Sequence, residues 1–446
     1  MTPAGDNPEG PLFPRLRSGP RRIPAERVAA HQKARLQGAM VEAVARRGYS
    51  GTSVRDLVAL AGVSKGAFYE YFENKQDCFL ATLDTILAAA SHRVGLAYSE
   101  PGDFREKMTS ALKAFMDLVV EEPAAASLAA VESLTLGAAG VAHRERASEV
   151  FERIVAESFR RWPGEREVSD PEIRAIVNGI AGIVYRRLRS GDQTELPGLV
   201  DQLVDWGFSY RRTDGEAVAT AIAAAEQARP VDVEEDEEGD KPGWKEPPSS
   251  RLSKTTLSQR ERIVRGAAQV VVARGYNALS IPAISAAAGT SNQTFYEHFH
   301  SKHDAFLAAF EEIAMKVLGH ALIAFKSAGD GPEAIGAGLR DLTEQIAAHE
   351  MFARLAFFEL PAAGPQALDR ADATLDSVTA FLEPPLAPAG IGGPVPRAIR
   401  EVISTGVWAV IQREIANDRG AALPQLAPEL TRIALAPLQA AAQSPP

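Results

Sequence analysis

The sequence lacks most of the features that mark secreted or membrane-spanning proteins. Its single cysteine, Cys78, excludes an internal disulfide and supplies no metal-binding framework by itself. No run approaches the roughly 20 apolar residues of a membrane helix. The first thirty residues hold no apolar stretch followed by a small-residue cleavage site. These absences predict a cytoplasmic protein with no membrane partner.

Signatures of common enzyme classes are also missing. There is no paired Cys or His framework for a metal, no glycine-rich loop that would cradle a phosphate, and no GxSxG nucleophile elbow. We therefore expect that the protein is not an enzyme and that it needs no cofactor.

Strand-type runs rich in Val, Ile and Thr are scarce, whereas alanine is abundant and apolar residues recur at i, i+3 and i+4. This periodicity is typical of amphipathic helices and predicts an all-α fold. A chain of 446 residues is too long for one ordinary hydrophobic core. Length alone indicates roughly two to four domains.

The net charge of −10 argues against a nucleic-acid partner until its distribution is considered. Arg15 to Lys75 carry 12 basic and 5 acidic residues, and Arg251 to Lys302 carry 7 basic and 2 acidic residues. Two basic islands in an otherwise acidic chain indicate two local surfaces that can face phosphates.

The two basic islands belong to an internal repeat. Arg47-Gly48-Tyr49 recurs as Arg274-Gly275-Tyr276, an offset of 227 residues, and between positions 47 and 81 the two copies match at 17 of 35 positions. Self-similarity of this extent indicates two copies of one structural unit.

Each copy carries the pattern of short helices joined by a tight turn. In the first copy, helically spaced apolar residues precede Gly48, which ends a first helix. Ser53 and Ser64 can cap the second and third helices, and Gly62 lies in the turn between them. The second copy repeats this pattern around Gly289. Two short helices joined in this way form a helix-turn-helix (HTH) unit.

These residues resemble the N-terminal signature of TetR-family repressors. In the first copy the matching residues are Gly48-Tyr49, Thr52-Ser53-Val54, Ala61-Gly62-Val63-Ser64-Lys65-Gly66, Phe68-Tyr69, Tyr71-Phe72 and Lys75. In the second they are Ser280-Ile281, Ala288-Gly289-Thr290-Ser291, Phe295-Tyr296, Phe299 and Lys302. The resemblance implies an all-α fold of two tandem TetR-like units, each an HTH DNA-binding domain followed by a helical-bundle sensor domain.

The resemblance and the composition together predict six segments. They are a disordered basic arm (1–24), a first HTH domain (25–83), a first sensor and dimerisation domain (84–210), an acidic, Pro-rich linker (211–258), a second HTH domain (259–310) and a second sensor domain (311–446). The linker has too little apolar surface to offset the entropy of ordering, so we expect it to be flexible and extended.

The third helix of each HTH domain is predicted to enter the major groove of a double-stranded DNA operator. The residues at its outward N-terminal end are Ser64, Lys65, Gly66 and Ala67 in the first copy and Ser291, Asn292, Gln293 and Thr294 in the second. Lys65 can bind guanine acceptors or a phosphate, whereas Asn292 or Gln293 carries the donor and acceptor that match adenine.

By resemblance, Tyr69 and Tyr296 bind phosphates, as do Lys75 and Lys302. Ser53 and Ser280, at the N-termini of the second helices, can add phosphate contacts. The basic arm with Arg15, Arg17, Arg21 and Arg22 follows the DNA backbone or is a non-specific tail.

A metal site is not expected. His298, His300 and His303 lie close together in the sequence, but the matching residues of the first copy, Tyr71, Glu73 and Gln76, do not form such a set.

For the sensor domains the resemblance implies a ligand cavity and a small apolar effector. Aromatic residues that can line such cavities are Phe115, Phe151, Phe159, Trp206 and Phe208, and Phe352, Phe357, Phe358 and Trp408. Aromatic residues at helical spacing are more often plain core, and we favour that interpretation.

Two alternatives concern assembly and the second copy. Either one chain is a covalent pseudo-dimer that binds two unlike half-sites about 34–36 Å apart, or two chains form a homodimer with four HTH domains. The second copy lacks the equivalent of Lys65 and has the weaker basic charge. In the alternative function, only the first HTH domain binds DNA and the second repeat is a dimerisation or protein-docking module.

Overall fold

The computed structural model of the chain describes residues 25–227, 258–329, 331–349, 353–379 and 395–443, and in these ranges every regular element is helical. The predicted all-α fold is confirmed. The basic arm, the acidic run of the linker and Phe352 lie outside the described residues. None of the described helices is long and apolar enough to cross a membrane.

The first repeat contains ten α-helices among its described residues. They are α1 (Ala25–Arg47), α2 (Val54–Ala61), α3 (Lys65–Tyr71), α4 (Lys75–Tyr98), α5 (Phe104–Glu121), α6 (Pro123–Ala130), α7 (Ala138–Arg161), α8 (Asp170–Ser190), α9 (Val200–Ser209) and α10 (Glu216–Gln227). Two 3₁₀ helices, Glu132–Leu136 and Gln193–Leu199, lie between them.

The described residues of the second repeat follow the same order. Its helices are α11 (Gln259–Arg274), α12 (Ile281–Ala288), α13 (Asn292–His298), α14 (Lys302–Ser327), α15 (Pro332–Ala348), α16 (Pro365–Thr379), α17 (Arg397–Ala416) and α18 (Ala427–Gln443). A π-helix spans Leu355–Glu359, and 3₁₀ helices span Tyr276–Ala278, Pro361–Ala363 and Gly420–Leu426.

The offset of 227 residues extends well beyond the HTH domains. It relates the first residue of α8 to that of α17, the 3₁₀ helix Gln193–Leu199 to Gly420–Leu426, and the first residue of α9 to that of α18. The repeat therefore includes the sensor helices, in which the sequence match is too weak to be noticed by itself.

The segment predicted to be a flexible linker begins with a helix, which differs from the prediction. In α10 the residues Val218, Ala221 and Ala225 are fully buried, and the helix packs against α15 and α18. These residues form an apolar stripe at i, i+3 and i+7. The prediction rested on the charged composition of the whole segment, which does not reveal so short a stripe. Residues 228–257 lie outside the described residues.

The chain folds into two compact units whose limits do not follow the repeats. One comprises Met1–Val155 and Ile180–Asp205, and the other comprises Ala156–Gly179 and Trp206–Pro446. Each HTH domain lies within one unit. Two segments of the first repeat, however, belong to the second unit.

Candidate DNA interface

The second and third helices of the first HTH domain, α2 and the recognition helix α3, start at serine caps, as the sequence predicts. Ser53 Oγ accepts a hydrogen bond from the Asp56 N–H (3.3 Å), and the Asp56 carboxylate accepts the Ser53 N–H (3.0 Å). The Ser53 hydroxyl also donates to Asp56 Oδ2 at 2.6 Å, and this bond, together with the one from the Ser53 N–H, holds the pKa of Asp56 below its usual value. Ser64 Oγ caps α3 by accepting the Ala67 N–H at 3.0 Å. The start of each helix is thus set by local hydrogen bonds.

The second HTH domain uses equivalent caps. Ser280 Oγ accepts the Ala283 N–H at 3.4 Å, and Ser291 Oγ accepts the Thr294 N–H at 3.0 Å. All four serines have exposed side chains, so their position at helix N-termini is compatible with the predicted phosphate contacts.

The turn between the second and third helices has the same backbone conformation in both copies. Gly62 has φ 60° and ψ 41°, and Gly289 has φ 62° and ψ 40°. The next residue closes the turn, with the Val63 N–H bound to the Val58 carbonyl at 3.1 Å. This left-handed conformation is strained for residues with a Cβ, so glycine fits the predicted turn.

The inward face of each third helix is phenylalanine. Phe68 and Phe295 are 0% exposed, and Phe72 and Phe299 are also buried. The prediction that these four residues are core is confirmed. Because this face is fixed in the core, the opposite face of α3 and α13 must point to solvent.

The outward face of α3 carries the residues predicted to contact DNA. Lys65, Gly66 and Tyr69 are exposed, whereas Ala67 is half-buried. The Tyr69 side chain is 51% exposed and stands edge-on against Phe68. Lys65 Nζ lies 5.8 Å from the centre of the Tyr69 ring. This face therefore offers a cation, a phenol hydroxyl and a small surface to a partner.

The outward face of α13 has the same geometry but different chemistry. Asn292 and Gln293 are exposed, Tyr296 is 59% exposed, and Thr294 is half-buried. The Thr294 hydroxyl lies 3.0 Å from Ser291 Oγ, so it belongs to the cap. Two amides here replace the lysine and glycine of the first copy.

Lys75 and Lys302 bind the backbone of their own domains. Lys75 Nζ donates to the carbonyls of Tyr49 (2.8 Å) and Thr52 (2.9 Å), and it lies 3.9 Å from the centre of the Tyr49 ring. Its partial burial lowers the pKa of the ammonium group. Lys302 Nζ donates to the Leu279 carbonyl at 2.8 Å. A phosphate contact would have to share these ammonium groups with the carbonyls.

Sequence reasoning missed a carboxylate that binds the same turn in each copy. Glu132 Oε2 accepts the Tyr49 N–H at 2.9 Å, and Glu359 Oε2 accepts the Tyr276 N–H at 2.7 Å. The offset of 227 also relates these two glutamates, so an alignment of the full repeats would have paired them. Glu132 lies in the 3₁₀ helix Glu132–Leu136 and Glu359 lies in the π-helix Leu355–Glu359, both within the segments predicted to be sensor domains.

Two further features of the HTH surface were also missed. Arg55 is exposed in the first turn of α2, where the second repeat has Pro282. Glu70 and Glu297, which match between the copies, are exposed next to the two tyrosines. Their charges lie beside the residues predicted to bind DNA.

The histidines of the second HTH domain contact separate partners. His303 Nδ1 lies 2.9 Å from the Tyr276 hydroxyl, and His298 Nε2 lies 3.4 Å from Gln259 Oε1. These contacts give the two side chains structural roles.

Aromatic residues of the sensor regions pack against one another. Ring centres of Phe115 and Phe151 are 6.0 Å apart, and the Phe357 and Trp408 rings stack at 4.2 Å. Such contacts are typical of core residues, and they favour the plain-core interpretation for these two pairs.

Comparison with known protein families gives two matches in one chain. The family model of the bacterial regulatory proteins of the tetR family matches residues 39–82 and again residues 263–309. Both matches fall on the two HTH domains described above. The chain thus carries two tandem TetR-type HTH units.

Curated relatives are transcriptional regulators. The probable HTH-type transcriptional regulator ArpR of Pseudomonas putida is 26% identical over 203 residues, which cover 41% of this chain and 93% of that protein. An uncharacterized HTH-type transcriptional regulator from the lacX 3′ region of Lactococcus lactis subsp. lactis is 35% identical over 52 residues, 12% of this chain and 26% of the relative.

Solved structures of regulators also show likeness to parts of the chain. The fatty acid degradation regulator FadR from Bacillus halodurans is 18% identical with a TM-score of 0.35, covering 38% of this chain and 96% of that one. A TetR-like regulator from Rhodococcus sp. RHA1 is 20% identical with a TM-score of 0.34, covering 42% and 99%. At these scores the likeness adds nothing to the two family matches.

Proposed function

We propose that this chain, which carries two tandem TetR-type HTH units, is a transcriptional regulator of the TetR family, and that it acts as a cytoplasmic, ligand-responsive repressor that binds a specific operator through α3 and α13. In this mechanism each recognition helix enters the major groove, and its outward N-terminal residues contact base edges. The sign of the regulation and the response to a ligand are part of the proposal.

One observation carries the DNA-binding part. Two helices with the same caps, the same turn and the same buried phenylalanines expose unlike side chains at equivalent positions. Packing does not dictate the exposed residues, so their identity is free to match a partner. The exposed amides of Asn292 and Gln293 favour a second HTH domain that binds DNA itself, with a base preference different from that of Lys65.

The contact between the sensor region and the HTH turn supports the ligand-responsive part. In each copy a glutamate outside the HTH core, Glu132 or Glu359, binds the amide of the tyrosine that follows Gly48 or Gly275. A ligand that prefers another arrangement of the sensor helices would weaken this contact and shift the orientation of the recognition helix. Relief of repression would be the result.

The DNA-binding proposal is tested by selecting bound sites from random duplex DNA at moderate salt, followed by sequencing. We expect an enriched motif with two unlike half-sites at helical spacing. A motif with a single half-site type would instead support the function in which only the first HTH domain binds DNA. Absence of any enriched motif would refute the proposal.

Two double variants test which HTH domain binds which half-site of the motif. Lys65→Ala with Tyr69→Phe is compared with Gln293→Ala with Tyr296→Phe. Each double variant is expected to weaken specific binding by about 1–3 kcal/mol for each lost base contact, and to relax only its own half-site. If the second pair has no effect, the second domain does not bind DNA.

The ligand response is tested with the operator found above. A panel of small apolar compounds is screened for release of the chain from labelled operator DNA, with a DNA of scrambled sequence as the control. Release by at least one chemical class is expected. If no compound in a broad panel causes release, ligand-responsive repression is contradicted while DNA binding stands.

A further inference from the structure

Helix α8 of the first repeat and helix α17 of the second repeat pack against each other in the second compact unit. Their contacts are related by an internal two-fold symmetry. Gly179 of α8 packs against Val402 of α17, and Gly406 of α17 packs against Ala175 of α8. Adding the offset of 227 to 175 and 179 gives 402 and 406, so the two contacts are copies of each other. Reciprocal contacts of this kind define an isologous interface, which normally forms between two identical subunits.

The two backbones approach so closely that the glycines are required. A Cβ at Gly179 would lie 2.6 Å from the Val402 carbonyl oxygen, and a Cβ at Gly406 would lie 2.8 Å from the Ala175 carbonyl oxygen. Ala175 and Val402 are themselves 0% exposed. Arg174 Nε donates to the Ala409 carbonyl at 3.0 Å in the same interface. This close packing shows that the contact belongs to the core of the unit.

A partly buried polar network lies on one side of this interface. Arg166 binds the Glu172 carboxylate with two hydrogen bonds, of 2.9 and 3.0 Å, and Glu172 is 0% exposed. Ser169 donates its N–H to Glu172 at 2.8 Å and its hydroxyl to Glu429 of α18. Burial raises the pKa of Glu172, and the hydrogen bonds from Arg166 and Ser169 oppose that rise. The network ties the first repeat to the last helix of the chain.

The network continues through Arg432. Its guanidinium donates to Asp214 at 2.8 Å and to Glu429 at 2.5 Å. The fully buried Tyr210 donates its hydroxyl to the Ile433 carbonyl at 2.9 Å. The Arg432–Asp214 and Tyr210–Ile433 hydrogen bonds each join a residue of the first repeat to α18 of the second repeat.

The network is not repeated on the other side of the two-fold relation. At the offset of 227, Ser169 and Glu172 correspond to Pro396 and Ile399, whereas Glu429 and Arg432 correspond to Gln202 and Asp205. If two first repeats paired, Asp205 would therefore take the place of Arg432 opposite Asp214. Two carboxylates would then face each other. Pairing of two second repeats would replace Ser169, the partner of Glu429, by Pro396 and would replace Asp214, the partner of Arg432, by Ala441. Unpaired charges in a buried interface are strongly unfavourable.

Helix α10 of the first repeat adds a contact with the second repeat. It packs between α15 and α18, where a Cβ on Gly336 would collide with the Ala221 carbonyl oxygen. Only residues 228–258 separate α10 from α11. A connection of this length gives the second repeat a high effective concentration near the first, on the order of millimolar.

We propose that the first repeat pairs with the second repeat of the same chain, and that the Arg166–Glu172–Glu429–Arg432–Asp214 network selects this unlike pairing. One chain is then the complete DNA-binding unit. The consequence for the operator, two unlike half-sites bound by one chain, rests on the proposed function. The pairing itself does not.

The first test is the mass of the intact chain in solution. Native mass spectrometry and light scattering behind a sizing column, from about 0.1 to 50 μM protein, are expected to give the mass of a single chain. A mass of two chains in the micromolar range would overturn the proposal, because it would mean that the repeats pair between chains.

The second test separates unlike pairing from like pairing. A site for a sequence-specific protease is inserted between residues 228 and 258, and the folded chain is cut there. The two fragments are expected to remain as a 1:1 complex in native mass spectrometry. Separation of the fragments, or exchange into pairs of identical fragments, would overturn the proposal.

The third test addresses the network. In the cut protein, Arg432→Asp is expected to weaken fragment pairing by at least about ten-fold, and Asp214→Arg in the same chain is expected to recover part of the loss. Arg419→Asp, which removes an exposed ion pair with Glu414, is the matched control. Equal effects of Arg432→Asp and Arg419→Asp would contradict the role of the network.

DNA binding is measured separately, as the number of chains on each operator. One chain on an asymmetric site supports both the pairing and the proposed function. A single-chain mass together with no specific DNA binding would refute the proposed function and leave the pairing intact.

Discussion

The two HTH domains share their interior and differ on their outward faces. Behind the recognition helices, Phe68 and Phe295 are both fully buried, and the turns have nearly identical φ and ψ values. In front, Lys65 and Gly66 are replaced by Asn292 and Gln293. Packing permits few residues in the interior, whereas the outward positions are constrained by the partner. In the proposed function, this pattern of difference marks the surface at which the two domains have separate base preferences.

The lysine at the start of the fourth helix also distinguishes the two domains. Lys75 binds two carbonyls and lies 3.9 Å from the centre of the Tyr49 ring, whereas Lys302 binds one carbonyl and lies 5.4 Å from the centre of the Tyr276 ring. The same residue thus ties the turn more firmly in the first domain. Residue identity alone does not show this difference.

The largest effect is expected when the hydrophobic core of one HTH domain is disrupted and that of the other is kept. Phe68→Ala and Phe295→Ala are each expected to destabilise their own HTH domain by about 3–5 kcal/mol, because each leaves a large cavity. In footprinting on the selected operator, each variant should lose protection at one half-site only. Leu60→Ala, at a position 41% exposed, is the control and should change little. Loss of both half-sites from either variant would contradict independent domains.

Replacing the outward residues of α3 by those of α13 tests whether these residues determine the base preference, and it leaves the hydrophobic cores of both domains unchanged. Lys65→Asn, Gly66→Gln and Ala67→Thr in one chain give the first domain the residues of the second. We expect the two selected half-sites to become alike, with a change of about 1–3 kcal/mol for each altered base contact. Site selection from random DNA measures this. Unchanged half-sites would show that other residues determine the sequence preference.

Replacement of the two lysines tests their structural role. Lys75→Met removes the ammonium donor from two carbonyls and should cost about 1–3 kcal/mol, whereas Lys302→Met removes it from one carbonyl and should cost less. Hydrogen exchange of α2 and α12 amides under increasing urea reports each domain separately. If stability is unchanged and the slope of log K against log salt falls by about one phosphate contact, the lysines bind phosphates instead.

The smallest effect is expected at the glutamate contacts. Glu132→Gln replaces a charged acceptor of the Tyr49 N–H by a neutral one, which should weaken the contact by about 1 kcal/mol. The exchange rate of the Tyr49 amide should then rise about five-fold, while that of Tyr276, bound by the unchanged Glu359, stays constant. Glu359→Gln is the reciprocal variant. Equal rates in both variants and the native chain would exclude a stabilising role for these carboxylates.

Local signals were sufficient for the HTH domains. Serine caps, a glycine in the turn and phenylalanines at i and i+4 act over a few residues, so each could be identified from its neighbours in the sequence. The resemblance to a known family added the direction in which the third helix faces. Both sets of expectations about caps and core are confirmed.

Contacts between distant segments were not predictable in this way. Glu132 and Tyr49 are 83 residues apart, and Ser169 and Glu429 are 260 residues apart. No local pattern distinguishes these glutamates from ordinary surface residues. The same holds for α10, whose apolar stripe is short and lies next to an acidic, Pro-rich segment.

The sequence by itself determined the helical fold, the repeat and the frame of both recognition helices, because caps, turns and amphipathic periodicity are properties of neighbouring residues. Only the tertiary structure decided which repeat Gly179 and Gly406 contact and which partners Arg432 binds. Those choices depend on how closely two backbones approach and on whether a buried charge finds its opposite. Neither condition is met until segments far apart in the chain have packed together.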